Sequence, residues 1–224
     1  MRLSPYVIHS ALVGLYYTVI ATVLSCCLAF PIAFIVGILR VSRSRTVRGC
    51  AMVYVEGIRG ASPIVELYWA FFVLPLIGIR FPPLEVGVLV LGLVGGAYAS
   101  EAVRGALLAV DRGQWEAGLS LSMSRSSTVL RIVLPQAIPT MLPIFQNVAI
   151  DMLKGTSLLS LVTVTELTRT ANELGTVGVM SFSSGYGALL VIYFLLSLPI
   201  MAGMAKLEKY TARYQSKFVR RPRS

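Results

Sequence analysis

Five stretches of this chain are long and apolar enough to dictate its surroundings. They cover roughly residues 11–39, 49–79, 84–110, 136–164 and 184–205. A run of about 18 or more apolar residues reads as a helix able to cross a bilayer. Charged residues make up 13% of the chain, against about a quarter in soluble domains. The fold class that follows is all-α: a polytopic membrane protein with five transmembrane helices. Residues 1–224 form a single transmembrane domain with its core at about 11–205 and a basic tail at 206–224. The first run is too long for a cleavable leader, and no small-residue cleavage site follows it.

The net charge of +10 would fit a nucleic-acid partner only if the bases clustered on a soluble surface. Instead they sit at the ends of the apolar runs, as topology signals do. Arg40, Arg43, Arg45 and Arg48, then Arg112, Arg125 and Arg131, then Lys206, Lys209, Arg213, Lys217, Arg220, Arg221 and Arg223 fall at one set of ends. Only Arg2, Arg80 and Arg169 fall at the other. This imbalance places the N-terminus outside, the C-terminus in the cytoplasm and the segment at 111–135 on the cytoplasmic side. Four spans would put the Arg40–Arg48 cluster on the wrong side.

Several runs carry interruptions. Pro31 is a potential kink in the first, and the second breaks around Pro63. Gly92, Gly95 and Gly96 give the third a small-residue face suited to close helix packing. Residues 165–183 form a polar connection in which Glu166 and Arg169 stand one turn apart. Cys26, Cys27 and Cys50 lack metal-ligand spacing and read as reduced packing residues. His9 stands alone, and no Gly-Lys-Ser/Thr phosphate loop occurs. The chain is therefore read as non-catalytic.

The segment after the third run is polar and amphipathic. A short helix is predicted from Trp115 through Glu116, Ala117 and Gly118 to Leu121. A turn at Ser122 and Met123 follows. Ser124 is the expected N-cap of a second helix, entered through Arg125, in which Val129, Ile132 and Val133 recur at helical spacing. Pro135 is expected to stop or kink it. The result would be a knob of two short helices projecting from the membrane.

These residues resemble the EAA loop of bacterial ABC-importer permeases: Glu-Ala-Ala, three residues, Gly, about nine residues, then Ile, any residue, Leu-Pro. Glu116-Ala117 and Ile132-Val133-Leu134-Pro135 match. Gly118 stands for the second Ala, weakening the helix by up to about 1 kcal/mol. Ser122 stands for Gly, and adopts a positive φ less readily. The resemblance implies that Glu116, Ala117, Gly118, Ser122, Met123, Ser124 and Arg125 couple the chain to an ATPase.

Three runs repeat one pattern of acid, two residues, base and Gly: Glu56/Arg59/Gly60, Glu101/Arg104/Gly105 and Asp151/Lys154/Gly155. Positions i and i+3 share a helix face, so each acid is expected to pair with its own base. Such pairs are either helix glue or part of a solute path. Asp151 and Lys154 favour the second reading, because Gly155-Thr156-Ser157 can unwind a helix and expose backbone groups. Glu56, Arg59, Glu101, Asp151, Lys154, Thr156 and Ser157 are the candidate path residues.

Glu56 to Pro63, Gly96-Ala97-Tyr98, Glu101 to Gly105, Lys154 to Ser160 and Glu166-Leu167-Thr168 also resemble the polar amino-acid branch of these permeases. Gly155 stands where Asp is commoner. The resemblance, roughly from residue 11 to 205, implies a type I ABC importer-like fold in the bacterial inner membrane. It further implies a second permease subunit, two ABC ATPase subunits and an extracellular or periplasmic solute-binding protein. ATP and Mg would be bound by the ATPases, with no cofactor in this chain. A polar or cationic amino acid, or an ectoine-like zwitterion, would be the solute. The competing class is an ion-coupled secondary transporter or channel using Asp151 or Glu101.

Overall fold

The computed structural model describes residues 5–218. Arg2, Arg220, Arg221 and Arg223, read above as topology signals, lie outside the described residues. Helix α1 spans Pro5–Arg40, α2 Arg45–Gly60 and α3 Pro63–Tyr68. A π turn at Trp69–Val73 and a 3-10 turn at Leu74–Ile77 continue α3. Helix α4 spans Pro83–Ala109, α5 Arg112–Ser120 and α6 Arg125–Thr128. A π turn at Val129–Val133 leads into α7, Leu134–Gly155, which tightens to 3-10 at Thr156–Val162. Helices α8, Leu167–Thr176, and α9, Phe182–Phe218, complete the described chain.

Among the described residues, four continuous helices are long and apolar enough to cross a membrane: Pro5–Arg40, Pro83–Ala109, Arg125–Val162 and Phe182–Thr211. A fifth span exists if Arg45–Gly60 and Pro63–Ile77, bent by 99°, count as one. The bend has a local cause. A residue before proline is pushed out of the α region, and Ser62, preceding Pro63, is extended with ψ of 133°.

Helix α1 lies along α4, α4 packs on α7, and α7 on α9, while α8 bridges α1 and α9. The glycine face of α4 permits the first contact. A Cβ at Gly92 would fall 2.6 Å from Leu28 Cδ2, and one at Gly96 would fall 2.7 Å from Ile32 Cγ2. Gly95 meets Met152 of α7 just as closely. One core joins Ala29, Ala33, Val103, Leu107, Met141 and Phe145. Phe145 stacks on Phe30 at 5.0 Å and meets Phe34 edge-on at 5.4 Å. A second core joins Ala21, Leu67, Val90, Leu159 and Val162.

Pro135 does not end its helix. Proline lacks an N–H and crowds the carbonyl four residues back. The π turn at Val129–Val133 widens the winding just before it, so the helix continues into α7. Pro31 is likewise carried inside α1.

Candidate functional site

The segment between α4 and α7 is a helical hairpin. Asp111 caps α5, its Oδ1 accepting from Gly113 N at 2.6 Å. Ser122 sits at φ 53°, in the left-handed region. Met123 N donates to Gly118 O at 3.0 Å and Ser122 N to Leu119 O at 2.9 Å. These bonds satisfy carbonyls that the end of α5 would leave orphaned. The turn is thus the one a glycine forms with least strain, made here by serine. Ser124 then caps α6, its Oγ accepting from Ser127 N at 3.2 Å.

Gly118 is buried where α5 crosses α6. A Cβ there would fall 2.5 Å from Thr128 Cγ2 and 2.7 Å from its Oγ1. The glycine that weakens α5 is therefore what lets the two helices touch. Arg125 ties the hairpin down: its guanidinium lies 5.3 Å from the Trp115 ring centroid and donates to Val41 O at 3.2 Å. Gln136 Nε2 donates to Gln114 Oε1 at 3.1 Å, joining α7 to α5. Glu116 and Ala117 remain exposed, as do Leu119 at 52% and Leu121 at 72%. Met123 is half-buried.

The three acid–base motifs do not behave alike. Glu101 pairs with Arg104 at 3.0 Å as expected, but also with Arg59 at 3.4 Å and with the buried Arg40. Three guanidiniums, from α1, α2 and α4, meet on one carboxylate. Arg59 also lies 5.1 Å from the Tyr98 ring centroid. The expected Glu56–Arg59 pair is therefore not formed among the described residues: Arg59 turns to α4, and Glu56 is exposed. Arg40 was read only as a topology signal. Its position at the end of an apolar run carried no hint of an acid 61 residues away.

Asp151 and Lys154 form a loose pair at 3.9 Å, with side chains 77% and 67% exposed. Thr156 is not brought to them. The change from α to 3-10 winding turns it inward, where it is fully buried and its Oγ1 donates to Leu153 O at 2.7 Å. Ser157 Oγ donates to Lys154 O at 2.8 Å and stays on the Lys154 side.

Thr156 instead borders a buried polar knot around Glu166. Glu166 is fully buried at the start of α8, with Oε1 accepting from Arg169 N at 2.6 Å and Oε2 from Thr168 N at 2.7 Å. Tyr193 of α9 donates to Glu166 Oε2 at 3.1 Å, and its hydroxyl lies 3.5 Å from Thr156 Oγ1. Burial pushes the Glu166 carboxyl above its ordinary range, against these hydrogen bonds, which lower it. Arg169 pairs with Glu173 at 2.8 Å rather than with Glu166.

Residues 29–212 match the family described as the binding-protein-dependent transport system inner membrane component. The chain belongs to this family. As an inner-membrane component, it has relatives of similar length. A probable amino-acid ABC transporter permease, y4tF of Sinorhizobium fredii, is 38% identical over 208 residues, covering 90% of this chain and 87% of that one. The L-cystine transport system permease TcyB of Bacillus subtilis is 36% identical over 204 residues, covering 89% and 87%. A chain in the crystal structure of an amino acid ABC transporter with histidines superimposes with a TM-score of 0.80 at 28% identity. That match covers 94% of this chain and 100% of the other. The fold of this inner-membrane component is therefore that of a type I ABC importer permease.

Proposed function

We propose that this chain is the transmembrane subunit of an ATP-driven importer for a polar amino acid or similar zwitterion. Its relatives' names point to amino acids. The observation that carries the coupling role is the hairpin at 111–135. It is braced by Arg125 and Gln136 yet presents Glu116, Leu119 and Leu121 outward. An exposed acid beside exposed leucines, on a rigid element between two spans, suits the docking of another protein.

In this reading the N-terminus lies outside and the hairpin and C-terminus lie in the cytoplasm. Two ATPase subunits bind ATP and Mg and grip the hairpin of this chain and that of a second permease subunit. A solute-binding protein delivers cargo from outside. Closure of the ATPases pushes each hairpin, and α7 carries the motion inward, because the hairpin runs into it without a break. Alternating access follows if the loaded states differ in affinity. Asp151 and Lys154, which are exposed, and the half-buried Ser157 beside Lys154 are the candidate solute contacts. Glu101 and Arg59 are held by other helices and act as glue, with Thr156 serving the Glu166 knot.

The test is Glu116→Lys in the reconstituted complex with its ATPase and binding protein. ATP-driven uptake should fall to background while the chain still inserts. Normal uptake would remove the hairpin from the coupling path.

A further inference from the structure

A second site lies between the bent pair and α4, and neither Asp151 nor Lys154 lines it. The bent pair α2–α3 and helix α4 enclose a cavity of about 500 Å³. Ile58, Trp69, Ala70, Leu74, Val90 and Leu93 are among its walls, which are almost wholly apolar. Its volume is in the range that takes a small organic ligand. The exception in the walls is Glu66. Its Oε2 is buried and has no hydrogen-bond partner among the described residues. The neighbouring hydroxyl of Tyr54 is committed to Leu93 O at 2.7 Å.

Glu66 as a whole is half-buried, but its Oε2 is a buried polar atom without a partner, which calls for a physical explanation; a charged oxygen against hydrocarbon is costly unless a proton or a cation joins it. The walls contain no Lys, Arg or His. A zwitterion would therefore bring its own acid group to a surface with nothing to hold it. The rim residues Val65 and Trp69 are 59% and 54% exposed, so the cavity is open to entry. We infer that this cavity binds an organic ammonium ion carried on an apolar stem, with Glu66 as its counter-charge. The site is separate from the solute contacts proposed above and does not depend on them.

The test measures saturable binding of tritiated 4-phenylbutylamine to the intact transporter complex in nanodiscs of phosphatidylcholine and phosphatidylglycerol. Glu66→Gln keeps the side chain's shape and removes its charge. It should weaken binding at least about tenfold, the scale of a hydrogen bond to a charged group. Ala70→Leu, which fills the cavity and leaves Glu66 intact, should also weaken it. The neutral isostere 4-phenylbutanol should compete at least about tenfold less well. Equal competition by the alcohol would overturn the inference, since the cavity would then be merely apolar. Unchanged binding in Glu66→Gln would do the same. Should that variant not assemble, unchanged binding in Ala70→Leu would still refute the site. Loss of amine binding with normal ATP-driven uptake would leave the importer reading standing.

Discussion

Gly118→Ala tests whether the hairpin is built on contact between α5 and α6. In an isolated helix the change stabilises, by about 1 kcal/mol, because alanine is the better helix former. Here the new methyl would fall 2.5 Å from Thr128 Cγ2. Thr128 is 1% exposed, and its Oγ1 donates to Ser124 O at 3.1 Å. A β-branched side chain held in this way cannot swing aside without losing that bond. Overpacking a tight contact costs about 1–3 kcal/mol. The net effect should be a loss of up to about 2 kcal/mol. In a Thr128→Ala background Cγ2 and Oγ1 are gone and only Cβ, at 3.1 Å, remains close, so the same substitution should recover most of the helix-former gain. The coupling between the two sites is therefore about 1–3 kcal/mol. Hydrogen exchange across residues 112–133 of the assembled transporter reads it directly, about tenfold in exchange rate per 1.4 kcal/mol. If Gly118→Ala slows exchange equally in both backgrounds, the crossing contact is not what the glycine serves.

Three further outcomes are expected. Glu101→Gln strips the buried Arg40 of its counter-charge. Because the Arg59 and Arg104 side chains are 36% and 37% exposed, their share is small, and the loss should be about 1–3 kcal/mol. An unshifted thermal midpoint in detergent would refute the hub. For Glu166, the raised folded-state value means that the folded chain holds the proton more tightly than the unfolded chain. Its contribution to stability is full below the unfolded value of about 4.3 and is lost as pH rises through the folded value. Glu166→Gln should flatten that decline, and an unchanged slope of midpoint against pH would count against it. Lys154→Met should cut ATP-driven uptake at least about tenfold, as loss of a charged hydrogen bond would, while the complex still assembles. Unchanged uptake kinetics would take Lys154 out of the solute path.

Local chemistry made much of the fold readable. Four of the five apolar runs became long helices and the second a bent pair, the glycines of the third run became the α4 face against α1, and Ser124 capped α6. Each of these depends on residues within a turn or two. The misses depend on what a neighbouring helix brings. Spacing i and i+3 places Glu56 and Arg59 on related faces, but it cannot show that Glu101 and Tyr98 of α4 stand closer to that guanidinium. Thr156 was grouped with Lys154 because the helix was expected to unwind after Gly155, whereas the winding tightens there and turns Thr156 inward. Pro135 was read as a stop or a kink, and the helix runs on through it because of a π turn that has no residue signature of its own. Gly118 and Ser122 looked like weaknesses in isolation. One is matched to the bulk of Thr128, and the other takes a strained φ that the surrounding hydrogen bonds hold.

The seven tight residues at Thr156–Val162 behave geometrically as a screw thread. In 3-10 winding each residue advances about 2.0 Å and 120°, against about 1.5 Å and 100° in an α-helix. Relaxing that stretch to α would retract its far end by about 3.5 Å and counter-rotate it by about 140°. Leu159 and Val162, now fully hidden, would then be swung toward a different neighbour. A push of that size along α7 could be taken up as a twist beside Glu166, with each backbone amide exchanging one carbonyl for the next.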